Sequence, residues 1–547
     1  MRKQILLRTL EHARLPRARA VFRLHESLCF IRAFPETPEI RAIAARMLDR
    51  FAARADLRRH RAALANTGVA GTEIRDRFYW APARWLAQRR PAQLTIDWPR
   101  WGDAQRLETL LPHIAHFSET PGLDEHDLGA REWIRQMKSP RETDARFLVA
   151  RFEALRASGI LRETLYDDLD PPLRLAPSDA APSRTNERLA RAEVHYQIAP
   201  LDRALPDGRA EARRAPPAIR RAAPREAAAI IEIARSAMVT RCRDLDAFFH
   251  ADARDVHVAR CERGLEIAVI GVVPERRLLL EAVYGYLVLK NGAAIGYGTA
   301  SALFESVEIA YNIFETYRGA EAGAVFGRIL AVFRQIFAAD TFVIDPYQVG
   351  AGNTEALRSG AWWFYQKQGF APRDAKTLRL MRTELRAMRA RPSHRSSIAT
   401  LKQLSASALF LDLARPRAET LGAIPLGNAG LAATRTLAAR FGSDRERAVR
   451  ECAREAAALL GAPRSALARW RPAERLAWTR WAPLILSLPR VARWNAADKR
   501  ALVGVVRAKG GERESEFVAR FDAHRSLRRA IARLGELRPR PTFGDEQ

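Results

Sequence analysis

Residues Ser306–Tyr347 read SVEIAYNIFETYRGAEAGAVFGRILAVFRQIFAADTFVIDPY. The opening SVEIAYNIF is rich in β-branched and aromatic residues and reads as a strand. GAVFGRILAVFRQIFAA places apolar residues three and four apart, which predicts a helix. TFVIDPY reads as a second strand. The order is therefore strand, tight loop, helix, strand. The loop from Tyr317 to Gly323 runs straight into the helix. A glycine-bearing turn there presents unpaired N–H groups and the positive end of the helix dipole, which suits a phosphate.

The pattern extends on both sides. PREAAAIIEIARSAM, from Pro224, predicts a helix. LEIAVIGVV, YGYLVLK and AAIGYGTA predict strands, the last two joined by the hairpin signal Asn291-Gly292. Beyond Tyr347, the run AWWFYQKQGF (Ala361–Phe370) predicts a short helix ending at Gly369, with a strand from about Phe370. A tyrosine near the end of such a helix, Tyr365, can hold its hydroxyl over a groove between two splayed strands. Residues 223–375 thus read as an α+β domain.

Two of these stretches together resemble the GNAT acyltransferase superfamily. EIAYNIFETYRGAEAG is similar to that family's fourth strand and acyl-CoA pyrophosphate loop, and AWWFYQKQGF to its later Ala-x-x-x-Tyr-x-x-x-Gly-Phe motif. The resemblance covers residues 223–375. It implies a mixed sheet of six or seven strands, splayed at the fourth and fifth, with helices on both faces and acyl-CoA (acetyl-CoA first) as donor. Arg318, Gly319, Ala320, Ala322 and Gly323 would cradle the pyrophosphate. The backbone of Asn312, Ile313 and Phe314 would pair with the pantetheine arm. Tyr365 would protonate the leaving thiolate, and Glu308, early on the fourth strand, would take the proton of the incoming amine, directly or through water. The sequence departs from the family at two points. Glu321 stands where the loop has a glycine, and a carboxylate opposes a diphosphate there. Arg358 replaces the usual Asn before the Ala, and Asn353, in a loop with Gly350, Gly352 and Gly360, is the candidate to stand in for it.

The flanks read differently. Residues 1–169 show helical spacing, as in IRAIAARMLDRFAARADLRRHRAAL. They hold Trp80, Trp85, Trp98, Trp101 and Trp133, read as core anchors. Nine of the 30 prolines fall between Pro171 and Pro224, so residues 170–222 read as a Pro-rich linker with a short element near Val194–Ile198. Residues 376–547 read as helical, with DRERAVRECAREAAALLGAP the clearest helix, ending in a frayed polar tail, RPRPTFGDEQ.

The chain has 547 residues, 91 Lys+Arg against 63 Asp+Glu and a formal charge of +28, yet only eight of the basic residues are lysine. An Arg- and Ala-heavy composition is what a GC-rich genome writes. Between Pro224 and Asp374 there are 16 basic and 18 acidic residues, so the excess lies in the flanks. Cys29, Cys242, Cys261 and Cys452 form no CxxC pair, which argues against a disulfide framework and against a structural metal site. No apolar run is long enough to span a membrane, and the basic start lacks the apolar core of a secretory leader. The expected location is the cytoplasm.

Three functions follow as expectations. The first is an N-acyltransferase moving an acyl group from acyl-CoA to a small-molecule or peptide amine, with no metal. The second keeps the fold and takes aminoacyl-tRNA as donor, with the basic flanks contacting a polyanion. The third is a degenerate, non-catalytic GNAT-like binding module between helical regions. Tests of Glu308 and Tyr365 separate the third from the others.

Overall fold

A computed structural model describes residues 2–537, apart from 103, 156–157, 191–192, 217 and 244. The polar tail 538–547 lies outside the described residues. The protein is α+β. Its chain packs as two units that cut across the boundaries read from composition. The first comprises residues 1–200, 228–250 and 289–295, and the second residues 201–227, 251–288 and 296 onward.

In the first unit, helices Ala18–Ala33 and Pro38–Asp49 bury Val21, Leu24, Leu28, Ile40, Ile43 and Met47 in one apolar cluster. Trp80, Trp85 and Trp101 are buried. The Trp80 ring stands edge-on to Tyr166, 5.3 Å between centroids, as aromatic quadrupoles prefer. Trp98 donates to Asp144 at 2.6 Å and stacks on Trp101. A small antiparallel sheet holds β1 (Ile74–Asp76), β2 (Leu94–Ile96) and β3 (Leu173–Leu175), with β3 in the middle.

That strand corrects the linker reading. The proline-free triplet Leu173–Leu175 keeps its backbone N–H groups and alternates buried, exposed, buried, so it pairs on both sides. Further on, Ser183, Thr185 and Glu187 are buried, and Glu187 meets Arg241 at 2.6 Å. No regular element forms at Val194–Ile198. There the His195 N–H donates to the Asn291 side chain, whose amide donates to the carbonyls of His195 and Ala33.

The second unit is organised by a nine-stranded mixed sheet, wider than the six or seven strands expected. Its strands are β4 (Ala218–Arg221), β5 (Ala251–Arg260), β6 (Leu265–Val272), β7 (Ala282–Lys290), β8 (Ala293–Leu303), β9 (Ser306–Ile313), β10 (Thr341–Ile344), β11 (Ala371–Pro372) and β12 (Leu409–Asp412). The order is β11-β12-β10-β9-β8-β7-β6-β5-β4. Asn291 and Gly292, both at positive φ, turn the β7–β8 hairpin where the sequence placed it. Three strands were not anticipated. β4 lies at the sheet edge, in the stretch read as linker. β5, ADARDVHVAR, hides its period because charged residues interrupt it and its register shifts between Ala251 and Val256. β12, Leu-Phe-Leu-Asp, lies inside the region read as all-helical and inserts antiparallel between β10 and β11. Four residues are too few for a periodic signal; pairing on both edges makes them a strand.

The central helix, Ala322–Phe337, buries Phe326, Ile329, Leu330 and Phe333 against the sheet. Its Phe333 and Phe337 stand edge-on to Tyr286 and Tyr284 of β7. β9 and β10 run parallel and pair only at Ser306–Thr341, Val307–Phe342 and Glu308–Val343. The remaining residues of β9 continue to Ile313, while β10 ends at Ile344. The sheet therefore forks just past Glu308. Among the described residues, no helix is long and apolar enough to cross a membrane.

Candidate functional site

Glu308 is the last residue of β9 paired with β10. Its carboxyl is pushed up to about 7, chiefly by burial and further by the negative charges of Asp345 and Glu281. Asp345, just past β10, caps the next turn by accepting the Tyr347 N–H. A half-buried carboxyl titrating near neutrality can take a proton from an amine and return it to water.

Tyr365 lies on the short helix Ala361–Lys367. Its ring is buried against Phe326, Phe364 and Phe370. Burial raises its hydroxyl above the ordinary tyrosine range, so it stays protonated at any working pH. Tyr311 of β9 also packs on Phe326, which puts Tyr365 on the Tyr311 face of the strand. Strand alternation turns Glu308 to the other face. The two expected catalytic groups thus flank the fork from opposite sides.

The turn before the central helix was expected to hold a diphosphate. Gly319 takes the positive φ that a tight turn needs, and the space beyond its Cα is open. Arg318 is exposed and meets Glu355 at 2.7 Å. The backbone of Asn312 and Ile313 pairs with β8, and Phe314 begins the turn. Ala320 and Gly323 are less accessible. Ala320 is buried. A side chain on Gly323 would stand 2.7 Å from Leu205 and 2.8 Å from the Ala204 carbonyl oxygen. Glu321 is also buried, 3.4 Å from Arg263, and its carboxylate sits favourably at the positive end of the helix dipole beside Ala322. A carboxylate and a carbonyl oxygen of the chain itself thus stand where a diphosphate would. In this conformation the turn does not fit that group.

The covering segment belongs to the stretch read as linker. Residues 204–206 lie on Gly323, and the helix Gly208–Arg213 continues along the central helix, with Glu211 against Gly327. The Gly208 N–H donates to the Gln368 carbonyl at the end of the Tyr365 helix. Arg209 and Arg213 donate to the carbonyls of Asp412 and Leu413. The segment forms a strap from the glycine turn to the Tyr365 helix. Sequence reasoning missed it because its prolines signal a linker; the glycines at 208, 323 and 327 that let backbones touch were the available clue. Asn353 caps the helix Thr354–Ser359 by accepting the Ala356 N–H at 3.0 Å, a structural task the sequence did not suggest.

The fold also gathers His25, Glu26 and Cys29 in the first unit, with one ligand atom of each within 4.8 Å of the others. The His25 Nδ1 and Nε2 are held at 2.9 Å by Glu26 and Thr185. The Cys29 sulfur lies 3.9 and 3.8 Å from the two nitrogens, nearly equidistant and hence along neither lone pair. Burial alone would lower the imidazole pKa, but the neighbouring Cys29 and Glu26 side chains raise it to about 9. Arg32 stands 3.8 Å from the sulfur, so a metal ion there would meet a cation.

No protein-family model, no curated protein and no solved structure matches the chain.

Proposed function

We propose that the second unit is an acyltransferase acting on an amine at the fork between β9 and β10. The observation that carries this reading is Glu308. A carboxyl with a pKa near 7 stands where two parallel strands part, on the strand that leads into the glycine turn. Glu308 takes the proton as the amine nitrogen bonds to the acyl carbon. The bond to the donor's leaving atom then breaks, and the Tyr365 hydroxyl gives that atom a proton, regaining one from water. Burial keeps this phenol protonated, so it enters the step as a proton donor, though as a weaker acid than an exposed tyrosine.

Acyl-CoA is the donor that the resemblance implies, and the strap must leave Gly323 before its diphosphate can reach the turn. Calorimetry with acetyl-CoA and longer acyl-CoAs on the full chain tests this donor. Absence of binding at millimolar donor refutes it.

One observation favours the second reading, an aminoacyl ester carried on tRNA. The helix Ala375–Ala390 follows the Tyr365 helix and β11. Its outer face shows Lys376, Arg379, Arg382, Arg386 and Arg389, all exposed, at a spacing of three or four residues. Lys376, Arg379, Arg382 and Arg389 form no ion pair among the described residues. A stripe of that kind suits a phosphate backbone. Filter binding of tRNA at two salt concentrations decides: salt-independent or absent binding removes this donor.

A further inference from the structure

A cavity lies apart from the fork, in the helical part of the same unit. It has a volume of about 750 Å³ and is walled by Arg450, Ala453, Arg454, Ala457, Leu467 and Trp478 among others. That volume is in the range of small-molecule sites. The helix Arg445–Leu460 puts Arg450, Ala453, Arg454 and Ala457 on one face, since residues three and four apart are neighbours. Alanine at 453 and 457 leaves room that a larger side chain would fill. The Trp478 Nε1 already donates to the Ala453 carbonyl at 3.1 Å, so the indole offers the cavity its apolar ring. Leu467 adds to the apolar wall.

The polar character of the cavity comes from two guanidinium groups. Neither Arg450 nor Arg454 forms an ion pair or hydrogen bond among the described residues. Of the two carboxylates adjacent in sequence, Glu451 is held by Arg447 at 2.6 Å and Glu455 by Arg440. Two free arginines one helical turn apart can converge on a single acidic head, each through charge-assisted hydrogen bonds. The lining gives a ligand apolar contact everywhere else.

We propose that this cavity binds a small amphiphilic anion, an aliphatic body carrying one carboxylate or phosphate head. The body lies along Ala453, Ala457, Leu467 and the Trp478 ring, and the head is gripped by Arg450 and Arg454. The inference is independent of the chemistry assigned to Glu308.

Calorimetric titration of the full chain with dodecanoate, dodecyl phosphate and dodecanol, each below its aggregation concentration, tests it. Both acids should bind, and the alcohol should bind at least ~10-fold more weakly. The double variant Arg450→Ala/Arg454→Ala, on exposed side chains, should lower the affinity of both acids by roughly 100-fold and leave dodecanol unchanged. Ala457→Phe, which keeps both arginines, should abolish all three. A brominated dodecanoate should quench fluorescence that Trp478→Phe removes. The acid that binds tighter identifies the head group. The proposal is overturned if no amphiphile binds, if acids and alcohol bind equally, if the arginine variant binds as the parent does, or if only an acidic helical peptide occupies the site.

Discussion

The carbonyl oxygen of Ala204 lies 2.8 Å from the point where a Cβ on Gly323 would stand. The strap and the central helix touch there because residue 323 has no side chain. The turn that resembles a diphosphate cradle is therefore covered by the protein's own backbone.

Gly323→Ala should lift the strap. Gly323 is helical and gains up to about 1 kcal/mol of helix propensity as Ala, so the helix itself is not weakened. Residues 204–206 must move to admit the methyl group. Trypsin should then cleave after the exposed Arg203 roughly ten-fold faster, because proteolysis follows the open population. Unchanged cleavage would mean that the strap is anchored elsewhere. If acyl-CoA is the donor, the same variant should bind it more tightly.

Glu308→Gln should separate activity from stability. The carboxyl titrates near 4.5 in the unfolded chain and near 7 in the folded one. The folded state thus holds its proton more tightly. The stability this contributes is complete below pH 4.5 and is lost as pH rises through 7. The variant should match the parent in acid and exceed it above neutrality by on the order of 2–3 kcal/mol. Urea unfolding at pH values either side of 7 measures this. Acyl transfer should fall by about 10²–10⁴-fold over the same range, and the parent's rate should rise with pH through 7. A variant of unchanged activity returns the unit to a binding role.

Lys509 and Glu514 form a buried pair at 2.6 Å, joining the ends of two C-terminal helices. Lys509 also donates to the carbonyls of Leu280 and Glu281, and Arg277 stands 3.7 Å from Glu514. Burial pushes the lysine down and the carboxyl up, and each charge is tolerated chiefly through the other. Lys509→Met should cost about 3–5 kcal/mol by leaving a carboxylate short of a partner. Lys509→Met/Glu514→Leu should cost less than the two single changes summed, as a double-mutant cycle in denaturant would show.

Asn353→Ala removes a helix cap and should cost about 1 kcal/mol in thermal unfolding. Donor affinity should be unchanged. A loss of affinity without loss of stability would give the side chain to the ligand.

Much of the site's framework was legible in the sequence. The β7–β8 hairpin, β9, the glycine turn and the central helix have strong local signals: a turn dipeptide, β-branched runs and a sustained helical period. Glu308 and Tyr365 were named as candidates from the family resemblance that β9 and the helix Ala361–Lys367 carry. β12 and β3 were not legible, because three or four residues carry no period and become strands only when neighbours offer edges on both sides. β5 was hidden by charge within an irregular register.

The sequence by itself determined the element types of the central region, since these depend on local spacing and side-chain type, and its resemblance to a known family singled out Glu308 and Tyr365 as candidates. Tertiary structure decided what surrounds them. Burial beside Asp345 and Glu281 brings Glu308 to neutrality, and an aromatic cage holds Tyr365 protonated. A strap drawn from an apparent linker closes the turn at Gly323. Each of these depends on desolvation or on contact between segments far apart in the chain, and neither is written in local sequence.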